Sequence, residues 1–154
     1  MPRLPSPPFD WNAAAARVRA IEDSWNSCEP IRVARDCTID SVWRTGIECL
    51  SGRAAIEVCL ARKWVTTLDY RRINELWAVA ENRIAARFAY ECRDAGGNWY
   101  RAYGNENWEL CPSGLIRQRF TSINKHPIPG GDRAFLWPLG RRPDDYPELS
   151  DFDF

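Results

Sequence analysis

Two glutamates offer the chemistry that can be read most directly from this sequence. Glu75 alternates in phase with Ile73, Trp77 and Val79, and Glu106 with Tyr100, Ala102, Gly104, Trp108 and Leu110. If both faces turn inward, two carboxyls meet among aromatic rings. Burial raises a carboxyl pKa, and a second carboxylate nearby raises one of the pair further. Such a group serves as a general acid or base near neutral pH. Tyr90, in phase with Phe88, would present a phenol to a developing oxyanion. Trp43, Trp64, Trp77, Phe88 and Trp108, with Trp25, are candidate pocket walls. Arg44 is a candidate anchor for an anionic substituent, and Asn124, with Ser122, for a place at the pocket mouth. Each has a plainer alternative: a glutamate paired with an arginine, rings that are simply core, a surface Arg44, an Asn124 that caps a strand end. Register decides between them, and one bulge would reverse a face.

Other chemistries find little support. The six cysteines form no CxxC and fit no zinc spacing, so reduced, mostly buried thiols are expected. His126 is the sole histidine and precedes Pro127, which places it in a loop without a metal or catalytic role. No serine-nucleophile motif, phosphate-cradling glycine loop or dinucleotide fingerprint occurs, so no cofactor and no metal are expected. With 21 basic and 21 acidic residues the net charge is zero, which argues against a nucleic-acid partner. No apolar run approaches the roughly 18 residues of a membrane span, and no leader pattern opens the chain. A cytoplasmic location is the expectation.

The elements that must position these residues follow from periodicity. A chain of 154 residues with 45% hydrophobic residues predicts one domain. Residues 1–10 read as a proline-rich, extended tail. Asp10 caps a helix whose Trp11, Ala14, Val18, Ile21 and Trp25 share a face. Pro30 opens a short second helix to Asp36, and Thr38 to Thr45 is a strand. Ser51 caps a third helix to about Thr67, with Ile56, Leu60, Lys63 and Trp64 on one face and the Lys63 stem covering apolar surface. Four consecutive strands follow: Tyr70 to Ala80, Arg83 to Arg93, Trp99 to Leu110, and Leu115 to Asn124. Residues 11–125 thus form the domain. Residues 126–154 form a wrap with an acidic terminus that frays after Pro147.

That order of elements resembles the nuclear transport factor 2-like, or SnoaL-like, α+β fold. The strings Ala20-Ile21-Glu22-Asp23-Ser24-Trp25-Asn26, Arg101-Ala102-Tyr103-Gly104-Asn105-Glu106-Asn107-Trp108-Glu109 and Trp137-Pro138-Leu139-Gly140-Arg141-Arg142-Pro143-Asp144-Asp145 resemble those of one bacterial and fungal branch, a domain of unknown function. The resemblance implies N-terminal helices packed on a curved antiparallel sheet, a cone-shaped cavity, frequent dimerisation through the sheet, and chemistry without a cofactor. The expectation is therefore a cofactor-independent acid–base enzyme (isomerase, cyclase, dehydratase or hydrolase) acting on a small hydrophobic metabolite. Glu106, Glu75 and Tyr90 would be its catalytic residues. The alternative is a non-catalytic small-molecule-binding protein or an interaction module of the same fold. A homodimer is expected through the outer sheet face, with Arg83, Arg87 and Glu91 in reciprocal ion pairs.

Overall fold

The structure is a computed structural model and describes residues 5–154. Helix α1 (Trp11–Asn26) begins where the Asp10 carboxylate accepts from the Ala13 N–H at 2.7 Å, satisfying one of the free amides of the first turn. Its buried face is Ala14, Val18, Ile21 and Trp25. Helix α2 (Pro30–Arg35) leads into strand β1 (Cys37–Thr45), which turns at Gly46 into a short strand, β2 (Glu48–Ser51). Strand β2 was not expected. Ser51 belongs to it, pairing with Val42, so the cap of helix α3 (Arg53–Thr66) falls instead to Gly52 at φ +94°, backbone that favours glycine. Strands β3 (Leu68–Ala80), β4 (Arg83–Arg93), β5 (Trp99–Leu110) and β6 (Ile116–Ile128) form the antiparallel meander.

The six strands make one curved, unclosed sheet in the order β2-β1-β6-β5-β4-β3, with β1 parallel to β6. Helix α1 lies against β3 at one edge of the sheet. Its side chains take the place of a missing partner strand: Asn26 accepts from the Arg72 N–H at 2.7 Å and donates to its carbonyl at 2.9 Å. Glu22 accepts from the Asn74 N–H at 2.8 Å. The edge is therefore closed by side chains rather than left open for association.

Burial is two-sided, and this overturns several expectations. The concave side packs Ile84, Ala86, Phe88, Tyr90 and Trp108 against the helices. On the convex side, the C-terminal segment buries Ile73 and Ala89 beneath Phe135, Trp137 and Leu149. This strap packs against the sheet beyond Pro147 as well. Leu149–Asp151 form a 3-10 turn, and Phe152 and Phe154 pack on Phe135. Arg142 pins it by pairing with Glu22 at 3.0 Å, both side chains being buried. Glu91 is enclosed by Arg101 and by the Ala134 and Phe135 amides, and Arg87 faces Glu75 at 3.4 Å. Glu91 is thus unavailable for the expected reciprocal pairs with a second copy.

His126 lies in β6 rather than in a loop, paired with Arg101. Pairing with β1 ends at Thr121, so Pro127 sits where β6 is bonded on one side only and its missing N–H is tolerated. At the other end Phe9 is buried and its N–H donates to the Glu81 carbonyl, so the described part of the proline-rich tail is anchored; residues 1–4 lie outside the described residues. Of the six free cysteines only Cys37 and Cys92 are buried, fewer than expected. Among the described residues no helix is long and apolar enough to cross a membrane.

Gly104 permits the closest packing on the concave face. A Cβ there would meet the Phe88 ring and stand 2.6 Å from the Ser122 carbonyl. Gly104→Ala should destabilise the protein by about 1–3 kcal/mol through overpacking, measured by urea unfolding against the parent.

Candidate functional site

The buried charges of the concave face converge on Glu106. Its Oε1 accepts from Arg72 at 3.0 Å and from Arg119 in a second, shorter contact, while Oε2 accepts from the Trp108 indole at 2.8 Å. Both guanidiniums also lie over rings. That of Arg72 is 4.0 Å from the Phe88 centroid and 4.6 Å from Trp25; that of Arg119 is 4.3 Å from Trp43 and 5.2 Å from Trp25. Stacking of this kind suits the flat, delocalised arginine cation. Asn74 and Tyr70 take two more Arg72 donors, at 2.6 and 3.5 Å. Burial alone would raise the Glu106 pKa, but the charges of Arg119 and Arg72 outweigh it and hold the carboxyl at about 2. This reverses the expectation of a raised, proton-exchanging carboxyl: Glu106 is a fixed anion.

Above this cluster lies a cavity of about 230 Å³. Its walls include Trp25 and Trp43, stacked at 5.8 Å, with Leu60, Phe88 and Tyr90, and with Arg72, Arg119 and Thr121 as polar lining. Helix α3 brings Lys63 over the same space. The periodicity that buries Ile56 and Leu60 points Lys63 inward one turn later. Its Nζ donates to the Tyr90 hydroxyl at 3.3 Å and lies 4.5 Å from that ring and 5.5 Å from the Tyr70 ring. Burial, and then the positive charge of Arg72, bring the Lys63 ammonium down to about 8. Cys92 opposes that fall, whereas Lys125 and Arg119 add to it. Burial also pushes the Tyr90 phenol up to about 12, so Tyr90 remains a hydroxyl donor near neutral pH.

The residues expected to form the site divide between the two faces. Trp43, Phe88 and Tyr90 line the cavity. Glu106 and Trp108 are buried at its floor. Trp64 stands behind the wall, packed edge-on to Trp25 and Tyr70. Glu75 is on the convex face, holding Arg87 and accepting from the Ser150 N–H at 2.8 Å, so no carboxylate pair exists. Trp77 is 64% exposed, Arg44 is exposed on β1, and Asn124 borders the convex groove beside Tyr103.

The cause of the β3 error is a bulge. Leu76 pairs with Ala86 but Ala78 with Ala85, leaving Trp77 as the extra residue. Ahead of it Tyr70, Arg72, Asn74 and Leu76 are the inward residues, so Glu75 points out. Sequence reasoning therefore missed Arg72, and it also passed over Arg119 and Thr121. The available signal was arginine in phase with buried residues, Arg72 with the Tyr70 ring and Arg119 with Thr121. The pattern on α3 indicates Lys63 only as an aliphatic stem, whereas its Nζ reaches the cavity.

A family model described as a protein of unknown function (DUF1348) matches residues 7–136. No curated protein matches the chain. Several solved structures share its nuclear transport factor 2-like, SnoaL-like fold. The epoxide hydrolase/cyclase-like enzyme SalBIII of pyran ring formation in salinomycin is 16% identical, with a TM-score of 0.65 over 75% of this chain and 93% of that one. A putative polyketide cyclase from Xanthomonas campestris pv. campestris is 20% identical, with a TM-score of 0.62 over 72% and 90%. A hypothetical protein of ketosteroid isomerase-like fold from Catenulispora acidiphila, in complex with trimethylamine, is 13% identical, with a TM-score of 0.62 over 68% and 82%. At these identities the likeness is one of fold.

Glu106→Gln should cost about 3–5 kcal/mol, because it leaves two buried arginines without their counter-charge. The sign of the pH effect follows from a carboxyl held at about 2 in the folded chain against an ordinary 4.5. The parent's stability from this group is complete above that ordinary value and is lost as the pH falls through about 2. Denaturant unfolding across that window should show the loss in the parent and not in Glu106→Gln.

Proposed function

Because the chain belongs to the DUF1348 family and carries a nuclear transport factor 2-like fold, neither of which specifies a reaction, we propose from the cavity itself that it is a cofactor-independent acid–base enzyme acting on a small carbonyl-bearing metabolite. The observation that supports this most is the Lys63–Tyr90 pair: an amine brought down to about 8, 3.3 Å from a phenol, at the wall of an aromatic cavity. A base whose pKa lies near the working pH is the most effective one.

In this reading the neutral Lys63 amine takes a proton from carbon beside the carbonyl. The C–H pair moves into the new C=C bond, and the carbonyl π pair moves to oxygen. Tyr90 donates its hydroxyl proton in a hydrogen bond to that oxygen. Where the substrate carries a C=C beta to its carbonyl, the Lys63 ammonium then returns the proton to the gamma carbon: the oxygen pair re-forms the carbonyl, the new double bond moves between the alpha and beta carbons, and the original C=C pair takes the proton, so the step is an isomerisation with atoms conserved. Glu106 acts as a positioning residue through Arg72 and Arg119, and Glu75 has no part in the chemistry. A non-catalytic binding protein is the second reading, favoured by the locked state of Glu106, which leaves the cavity without a free carboxylate. Self-association through the sheet belongs to the end of the convex face that the strap leaves open, where Ala78, Ala85 and the 44%-exposed Phe120 line an apolar groove.

The chain has two lysines, Lys63 and Lys125, so a ¹³Cε-lysine NMR titration resolves them individually. One signal should titrate near 8 and disappear in Lys63→Met. Deuterium exchange into a panel of cyclic ketones and enones in D2O should rise with pH to a plateau above that midpoint. Lys63→Met should lower it by about 10²–10⁴-fold. A Lys63 midpoint above 10, or exchange unchanged in the variant, removes this assignment. Phe120→Glu should convert the dimer to monomer by sedimentation; a parent that is already monomeric at micromolar concentration rejects that interface.

A further inference from the structure

We propose that the ligand of this cavity is an organic anion: a small, flat carboxylate whose charged group docks on Arg119 and Thr121 and whose apolar body lies among the rings of Trp25, Trp43 and Phe88. This rests on the reading that the cavity is the ligand site and adds the class of ligand it selects.

Charge is the first ground. Lys63, Arg72 and Arg119 line the cavity, and Glu106, which both arginines share, is the one buried carboxylate beneath them. Glu48, also at the cavity, is exposed on β2. The interior thus holds more positive than negative charge. A buried cation without a counter-charge is costly, and a bound anion relieves that cost.

The second ground is unused hydrogen-bonding capacity. Among the described residues the Arg119 Nε and the Thr121 Oγ1 have no partner; both residues line the cavity and are more than nine-tenths buried, and the two atoms are themselves enclosed, so a ligand group meets them through a turn of the side chain. They stand two residues apart on one strand, so their side chains leave the same face of the sheet. Buried polar groups of this kind are normally satisfied, and an exception calls for a partner. A guanidinium N–H beside a hydroxyl suits a carboxylate, which accepts from both.

Size and shape complete the case. A volume of about 230 Å³ holds about eight waters' worth of ligand, at about 30 Å³ each, which is room for a single substituted ring. Trp25, Trp43, Phe88 and Tyr90 supply the apolar lining for such a body.

The test compares benzoate with its isostere benzamide, by calorimetry and by the indole NMR signals of Trp25 and Trp43. Benzoate should bind at least about tenfold more tightly, equivalent to about 1.4 kcal/mol. Arg119→Gln should erase that preference, and Thr121→Val, which retains the Glu106 cluster, should reduce benzoate affinity several-fold while leaving benzamide unchanged. Equal binding of the two probes to the parent, or a benzoate preference that survives Arg119→Gln, overturns the proposal while leaving the cavity as the ligand site. If neither probe shifts the Trp25 and Trp43 signals, the cavity is not the ligand site and both readings fall. Should Arg119→Gln not fold, the parent comparison and Thr121→Val decide.

Discussion

The arrangement depends on one buried carboxylate. Glu106 holds Arg72 from β3 and Arg119 from β6, strands that lie on either side of the β4–β5 pair. Removing Glu106 would leave two cations unpaired in a medium that cannot solvate them, whereas removing either arginine leaves one ion pair. The contact therefore constrains the curvature of the concave face as well as its charge. It also explains why Trp25 sits where it does: the ring from α1 lies within cation–π reach of both guanidiniums, tying the helix layer to the charge cluster.

A second set of charges does comparable work on the opposite face. Glu22 connects α1 to β3 and to Arg142, while Glu91 connects β4 to the strap through two backbone amides. Both are carboxylates that replace missing backbone partners, at a sheet edge and at an irregular segment. The strap is thereby part of the packed structure, and most of the convex face is interior. The end near Phe120 is left uncovered by the strap.

Between these two layers of structural charge, Lys63 and Tyr90 are differently placed. Among the described residues neither belongs to an ion pair, and each is shifted chiefly by burial. That separation is what makes a proton-transfer role for them compatible with a rigid arginine floor. Groups that hold the fold keep one protonation state, while Lys63, brought down to about 8, stands over open space. The fold neighbours share the shell, and the chemistry of this chain is argued from its own lining.

Much of the shell was legible in the sequence. The α1 face, the meander and the inward phase of β4 and β5 follow from local periodicity, because side chains alternate strictly along an unbroken strand. Asp10 as a cap and Glu106 and Tyr90 as inward groups came from the same pattern. What failed were statements that need a partner from a distant segment. Ile73 reads as concave core because it is apolar, yet the strap buries it from the other side. Glu75 followed it to the wrong face, since the bulge at Trp77 leaves no trace in composition. The ionisation of Glu106 was also beyond local reading: its sign depends on Arg72 and Arg119, which are 34 and 13 residues away along the chain. The sequence by itself determined which residues alternate with which; only the tertiary structure decided what lies across from them, because burial and charge pairing are set by contacts between elements and not by order along the chain.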